Sequence, residues 1–193
     1  MAGQMKGAAM REILRWHERN GGREHLRAIG QRLTTELKVH IDLDAEALGI
    51  LPSVWYPTRL SIEVLDGIFE GVGREKRLAK MREASHAAIR ATARGVYRLA
   101  LAKLATPRVL AGNIQRLWNM LYDDGERTLV LTSETSMTST TRDWTGHGVV
   151  LCELMTENSA AVLETMGSTE VVVDRVSCVG HGATECTTRF HWK

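Results

Sequence analysis

The sequence predicts an α+β protein, with N-terminal helices over residues 1 to about 125 packed on a C-terminal β-β-α-β-β module, residues 126 to 193, that carries a four-stranded antiparallel sheet. Three observations predict it. Apolar residues recur at helical spacing through the first part of the chain. At Gly125 the pattern changes to alternating segments rich in threonine, serine and valine, side chains that suit a pleated surface. One further helical stretch then separates two pairs of such segments, the order in which a helix crosses one face of an antiparallel sheet.

Met10, Ile13, Leu14 and Trp16 alternate with Arg11, Glu12, Arg15 and Arg19, and Asn20-Gly21-Gly22 ends this first helix. A second helix is expected from about Glu24 to Leu37. After the turns at Gly49 and Pro52, Pro57 opens a third, in which Leu60, Val64, Leu65, Ile68 and Phe69 share a face. Gly71 and Gly73 close it. The longest helix is expected from Arg74 to about Leu104, ending at Thr106-Pro107, and another from Val109 to Tyr122. Arg127–Thr135 and Ser136–Trp144 read as strands, Val149–Met166 as a helix stopped by Gly167, and Thr169–Cys178 and Glu185–Trp192 as the last two strands.

A chain of 193 residues suits one domain, and 44% apolar residues with 3 prolines exclude a disordered tail. The net charge of +2 excludes bulk polyanion binding. Apolar runs such as Val171-Val172-Val173 are too short to span a bilayer, and Met1 to Ile13 lacks a signal-peptide core, so a cytoplasmic protein is expected. Three cysteines without a CxxC are poor material for a disulfide framework. GxGxxG, Walker, HExxH and nucleophile motifs are missing. No acid, base and nucleophile converge, which argues against an enzyme.

The segment from Cys178 through Gly180-His181-Gly182 to Cys186 and Phe190 resembles the closing hairpin of the 4-vinyl reductase domain family, and the β-β-α-β-β order matches. Lys6-Gly7, Asn20-Gly21-Gly22 and Leu51-Pro52-Ser53-Val54-Trp55-Tyr56-Pro57 resemble a group of uncharacterised bacterial proteins, many myxobacterial, that end in such a domain. The resemblance implies a fold like that of the heme nitric-oxide-binding domains and of vesicle-tethering-complex subunits. It implies a dimeric sensing or interaction module, and a zinc site of three cysteines and a glutamate. Cys152, Cys178 and Cys186 fall in that arrangement, but Arg175 stands where the glutamate belongs, and an arginine there would repel a cation. Asp174 or His181 is then the candidate fourth ligand; otherwise the three are reduced thiols in a core. Heme is disfavoured, because a lone helical histidine such as His86 is more often a hydrogen-bonded side chain than a ligand. The tyrosine-serine-arginine signature of the heme proteins is also missing.

From Arg74 to Arg108 ten basic residues face only Glu75 and Glu83. They read first as a solvated face paired with acids elsewhere, then as a docking surface or a lipid-facing one; few aromatics are interleaved, so nucleic acid is not favoured. Trp118, Tyr122, Met137, Trp144 and Met155 are the candidate lining of a pocket for a small apolar molecule, or else the filling between helix and sheet. The expectation is a non-enzymatic small-molecule-sensing module acting as a homodimer or through a protein partner. Its rival is a structural adaptor without ligand, resembling the tethering subunits.

Overall fold

The computed structural model describes residues 3–92 and 106–193. Strands β1 (Gln4–Lys6) and β2 (Trp55–Pro57) pair antiparallel with Met5 opposite Tyr56; three residues each are too few for alternation to reveal them. Helix α1 (Arg11–His17) leads through a π turn at Glu18–Gly22 into α2 (Arg23–Arg32). Gly21 sits in that turn at φ +85, a conformation that glycine adopts without strain. A Cβ on Gly22 would come within 2.3 Å of the His17 ring, so that imidazole lies directly on the backbone.

The second helix does not run unbroken to Leu37. Leu33 turns extended after Arg32, and Thr34 starts a separate short helix α3 (Thr35–Lys38), its carbonyl accepting the Leu37 and Lys38 N–H groups. A threonine competes poorly inside a helix and serves well where one begins. Helix α4 (Thr58–Ile68) follows Pro57 and buries Leu60, Val64, Leu65 and Ile68 as the spacing requires. Helix α5 (Arg74–Thr92) covers the first part of the expected long helix, and the remainder to Leu104 lies outside the described residues. Thr106-Pro107 opens α6 (Pro107–Asn119): the Thr106 Oγ1 accepts the Val109 N–H at 3.3 Å, and Pro107 takes the first helical position, where a missing N–H costs nothing.

The C-terminal part has the expected β-β-α-β-β order. Strands β3 (Glu126–Ser133), β4 (Ser136–Arg142), β5 (Val172–Ser177) and β6 (Cys186–His191) form an antiparallel sheet in the order β3-β4-β6-β5. Register places Leu131, Met137, Phe190 and Val173 in one row, and Arg127, Thr141 and Cys186 in another. Helix α7 (Val149–Thr165) lies between this sheet and the helical half and is buried on nearly every side. One apolar cluster runs across residue 125, joining Ile13, Leu60 and Trp118 to Trp144, Leu151 and Cys152.

Burial on both sides forces α7 to carry its charges inward. Glu153, 2% exposed, accepts from Arg74 and Arg77 of α5 at 3.2 and 2.6 Å. Arg82 bridges Glu157 and Glu164 at 2.6 Å each, and His86 meets Glu164 at 2.6 Å. Arg74, Arg77 and Arg82 of the basic stretch are thus paired with acids elsewhere in the fold, while Lys76, Lys80, Arg90 and Arg108 are exposed and Arg94, Arg98 and Lys103 lie outside the described residues.

Arg82→Met leaves the Glu157 carboxylate buried without its partner and should cost about 3 kcal/mol of stability, whereas Arg82→Met with Glu157→Leu should recover most of it; chemical denaturation of the two variants decides. His17, pushed down to about 4 by burial and by neighbouring His25 and Lys80, is held neutral by the fold. The unfolded chain takes up a proton below pH about 6.5 that the native state refuses, so stability should fall as pH drops from there towards about 4. Thermal unfolding of His17→Leu should show a shallower acid decline than the wild type.

Candidate functional site

Helices α5, α6 and α7, the segment Ala8–Ile13 and the inner face of β3 and β4 enclose a cavity of about 230 Å³. Ile13, Ile89, Leu110, Ile114, Leu117, Leu129, Leu154 and Val162 make its wall apolar. Trp118, Tyr122, Met137 and Met155, all expected in a pocket, line it. Trp144 does not: it stands edge-on to Trp118 and Tyr122 at 5.1 and 5.2 Å and borders a smaller void of about 20 Å³ next door. Trp118 and Tyr122 stack at 4.1 Å, and the Trp118 indole N–H donates to the Asp124 carbonyl at 2.8 Å. The Tyr122 hydroxyl donates to the Met155 sulfur at 3.2 Å, and burial pushes this phenol up to about 12. It is a neutral group at physiological pH.

The polar element of the wall is Arg127, which sequence reasoning passed over. It is 8% exposed. Its Nε donates to Ser139 Oγ at 3.3 Å, its Nη2 donates to Ser159 Oγ at 2.6 Å, and its guanidinium carbon lies 5.6 Å from the Trp118 ring centroid. Burial lowers its pKa from the ordinary arginine value, yet not one carboxylate among the described residues pairs with it. The signal was present in the sequence: Arg127 is in phase with Leu129 and Leu131 on an alternating strand, and that phase is the inner one.

Beyond the wall formed by Trp118, Arg127 and Met155 lies the thiol cluster, which borders the smaller void. Cys152 on α7 and Cys186 at the start of β6 stand 3.5 Å apart, and Cys178 lies 3.7 Å from Cys186. The fourth group is neither Asp174 nor His181, both of which are exposed. It is His147, whose Nδ1 reaches Cys186 at 3.3 Å and Cys152 at 3.7 Å. Gly146, where a Cβ would meet the Trp144 ring at 2.3 Å, and Gly148 at the head of α7 bring that histidine in. Arg175 packs against the cluster and lines the same small void as His147, Cys152 and Cys186: its guanidinium donates to the Cys178 sulfur at 3.2 Å, to the Cys152 carbonyl at 2.5 Å and to the Thr156 hydroxyl. Cys186 is drawn below the ordinary thiol range, first by its hydrogen bond with Cys152, then by His147 and the Val179 N–H, while the same bond and burial push Cys152 up.

No family model matches this chain, and no curated protein matches it significantly. Solved structures do. The Fe(II) unliganded H-NOX protein from K. algicida superposes with a TM-score of 0.68 at 14% identity, covering 98% of this chain and 97% of that one. The H-NOX protein from S. oneidensis in the Fe(II)NO state gives 0.70 at 11% identity, with 98% and 99% covered. An oxygen-binding H-NOX domain related to soluble guanylate cyclases gives 0.64 at 10% identity, with 98% and 95% covered.

The fold is that of the H-NOX proteins. The expectation on cofactors, zinc as candidate and heme disfavoured, is corrected by these neighbours: structures of this fold are described by their heme and its Fe(II), NO and oxygen states, and the comparisons lend zinc no support. His86, the helical histidine weighed for that role, is occupied by Glu164. Among the described residues the cavity would meet a heme's apolar edge with aliphatic side chains, its carboxylates with Arg127, and its iron with the thioethers of Met120 and Met155 or the Tyr122 hydroxyl rather than an imidazole. None of the described helices is long and apolar enough to cross a membrane.

Exposure and hydrogen bonding rank the thiols. In chelator-treated protein, brief iodoacetamide exposure followed by peptide mass spectrometry should find Cys186 alkylated ahead of buried Cys152 and Cys178, because the thiolate is the nucleophile.

Proposed function

We propose that this protein is a non-enzymatic small-molecule sensor whose ligand, with a largely apolar body, occupies the cavity between α5, α6, α7 and the sheet. The observation that carries the reading is the cavity itself: it opens among adaptable methionine and aromatic side chains with one buried cation in its wall, the composition of a ligand site rather than of a void left by poor packing. The H-NOX proteins of the same fold, with their Fe(II), NO and oxygen states, lend the reading support. Signalling runs through α7, which touches both cavity and cluster, to a second copy of the chain or another protein in the cytoplasm. The hairpin from Cys178 to Phe190 supports membership of the 4-vinyl reductase domain family. A ligand-free adaptor is the outcome that the following experiment would reveal.

The protein should be purified from a heme-supplied host and examined by native mass spectrometry, light scattering and absorbance. A bound small molecule in a dimeric protein is expected, and a Soret band would identify that molecule as a porphyrin. Ile114→Trp, which fills the cavity from α6, should abolish retention while leaving the unfolding transition cooperative. Protein free of any ligand and indifferent to Ile114→Trp would leave the adaptor reading.

A second reading concerns the cluster. We propose that His147, Cys152 and Cys186, whose donor atoms lie within 4.8 Å of one another, hold one thiophilic cation, with Cys178, 3.7 Å from Cys186, turning in to complete the four-donor set such ions take. A cation there ties β6 to α7. Cys178→Ser should then destabilise the fold by far more than the roughly 1 kcal/mol of an ordinary substitution, and elemental analysis should find about one equivalent of metal in the wild type and little in the variant.

A further inference from the structure

Among the described residues Arg127 is a buried charge without a counter-charge. A buried charge is ordinarily paired, since taking it out of water costs more than neutral hydrogen bonds return. Here the guanidinium is more than nine-tenths buried and held by two serine hydroxyls. Its Nη1 makes no hydrogen bond among the described residues. Among the described residues the cavity wall contains no aspartate or glutamate, and the nearby phenol of Tyr122 is neutral. Glu153, Glu157 and Glu164, the acids closest in sequence on α7, already serve Arg74, Arg77, Arg82 and His86. Arg127 is also fixed in place. Its backbone N–H donates to Gln115 Oε1 at 2.6 Å, and the Trp118 ring lies near its guanidinium. A planar fork of donors so held, with one edge free and an apolar cavity in front of it, matches a carboxylate.

We propose that the cavity takes a carboxylate with a compact apolar or aromatic body, the carboxylate paired with Arg127 and the body lying among Leu110, Ile114, Leu129 and Leu154. The proposal deepens the sensor reading and rests on it. Size agrees: an apolar cavity of about 150 Å³ accepts benzene, so about 230 Å³ admits an aromatic ring carrying a short acid chain. The same carboxylate chemistry is offered by a free organic acid and by the side chains of a porphyrin, and the test separates them.

Protein stripped of any bound molecule, and shown by absorbance to hold no porphyrin, is titrated by calorimetry with 3-phenylpropanoate and with 3-phenyl-1-propanol. The two share a body and differ in the anion. The acid should bind at least about tenfold more tightly, the order of one charge-assisted hydrogen-bond pair. Arg127→Met should bring the two affinities together, and Arg127→Lys should keep part of the preference for the acid. Equal binding of acid and alcohol by the wild type overturns the carboxylate assignment and leaves the sensor reading standing. Binding of neither, in protein that also retains nothing from the cell, overturns both. Should Arg127→Met fail to fold, the wild-type ratio and Arg127→Lys still decide. If porphyrin alone binds, and its uptake survives Arg127→Met, the assignment is also overturned.

Discussion

The structure depends on one helix being buried on both sides while carrying three carboxylates. α7 cannot turn Glu153 and Glu157 to solvent, and leaves Glu164 only partly exposed, because the sheet covers one flank and α5 the other. Arginines of α5 must therefore meet them, and each pairing fixes α5 against α7 at a set height. Apolar contacts alone would tolerate a slip along the helix axis; a buried ion pair does not, since a displaced guanidinium strands a charge in a low-dielectric interior. With α5 and α7 locked, the space between them, α6 and the sheet is held open instead of collapsing. The cavity is thus a consequence of electrostatic register as much as of side-chain shape.

The fold was largely legible because its signals are periodic. Leu60, Val64, Leu65 and Ile68 announce α4, and the change to alternation after Gly125 announces the sheet; both rest on repeated burial of one face. The elements that stayed hidden are those that long-range contacts create. β1 and β2 are three-residue strands that exist because distant segments meet. The break at Leu33-Thr34 interrupts a helical pattern that continues through Leu37, since both leucines bury themselves on either side of it.

The site was legible in part, for the same reason. Cys152, Cys178 and Cys186 could be grouped by resemblance, but nothing in one dimension shows that His147, five residues before Cys152, bends back over two sulfurs, or that Arg175 points past the cluster to the Cys152 carbonyl. Arg127 was hidden in a different way. Its position in the alternation placed it inside, but an arginine between Glu126 and Thr128 reads as an ordinary exposed strand residue unless phase is given priority over polarity.

Arg127, Trp118 and Met155 form a wall common to the apolar cavity and to the void beside the thiol cluster. On the sheet, Arg127 and Cys186 occupy the same row with only Thr141 between them, and on α7 Cys152 and Ser159 lie on the two sides of Met155. A ligand that drew the guanidinium towards itself would loosen its bond to Ser159 or pull α7 with it. Either movement reaches Cys152 through one rigid helix, less than two turns away. Cavity and cluster thus share one wall and one helix, on which Cys152 and Ser159 lie less than two turns apart, and that helix is held in register by the ion pairs between α5 and α7.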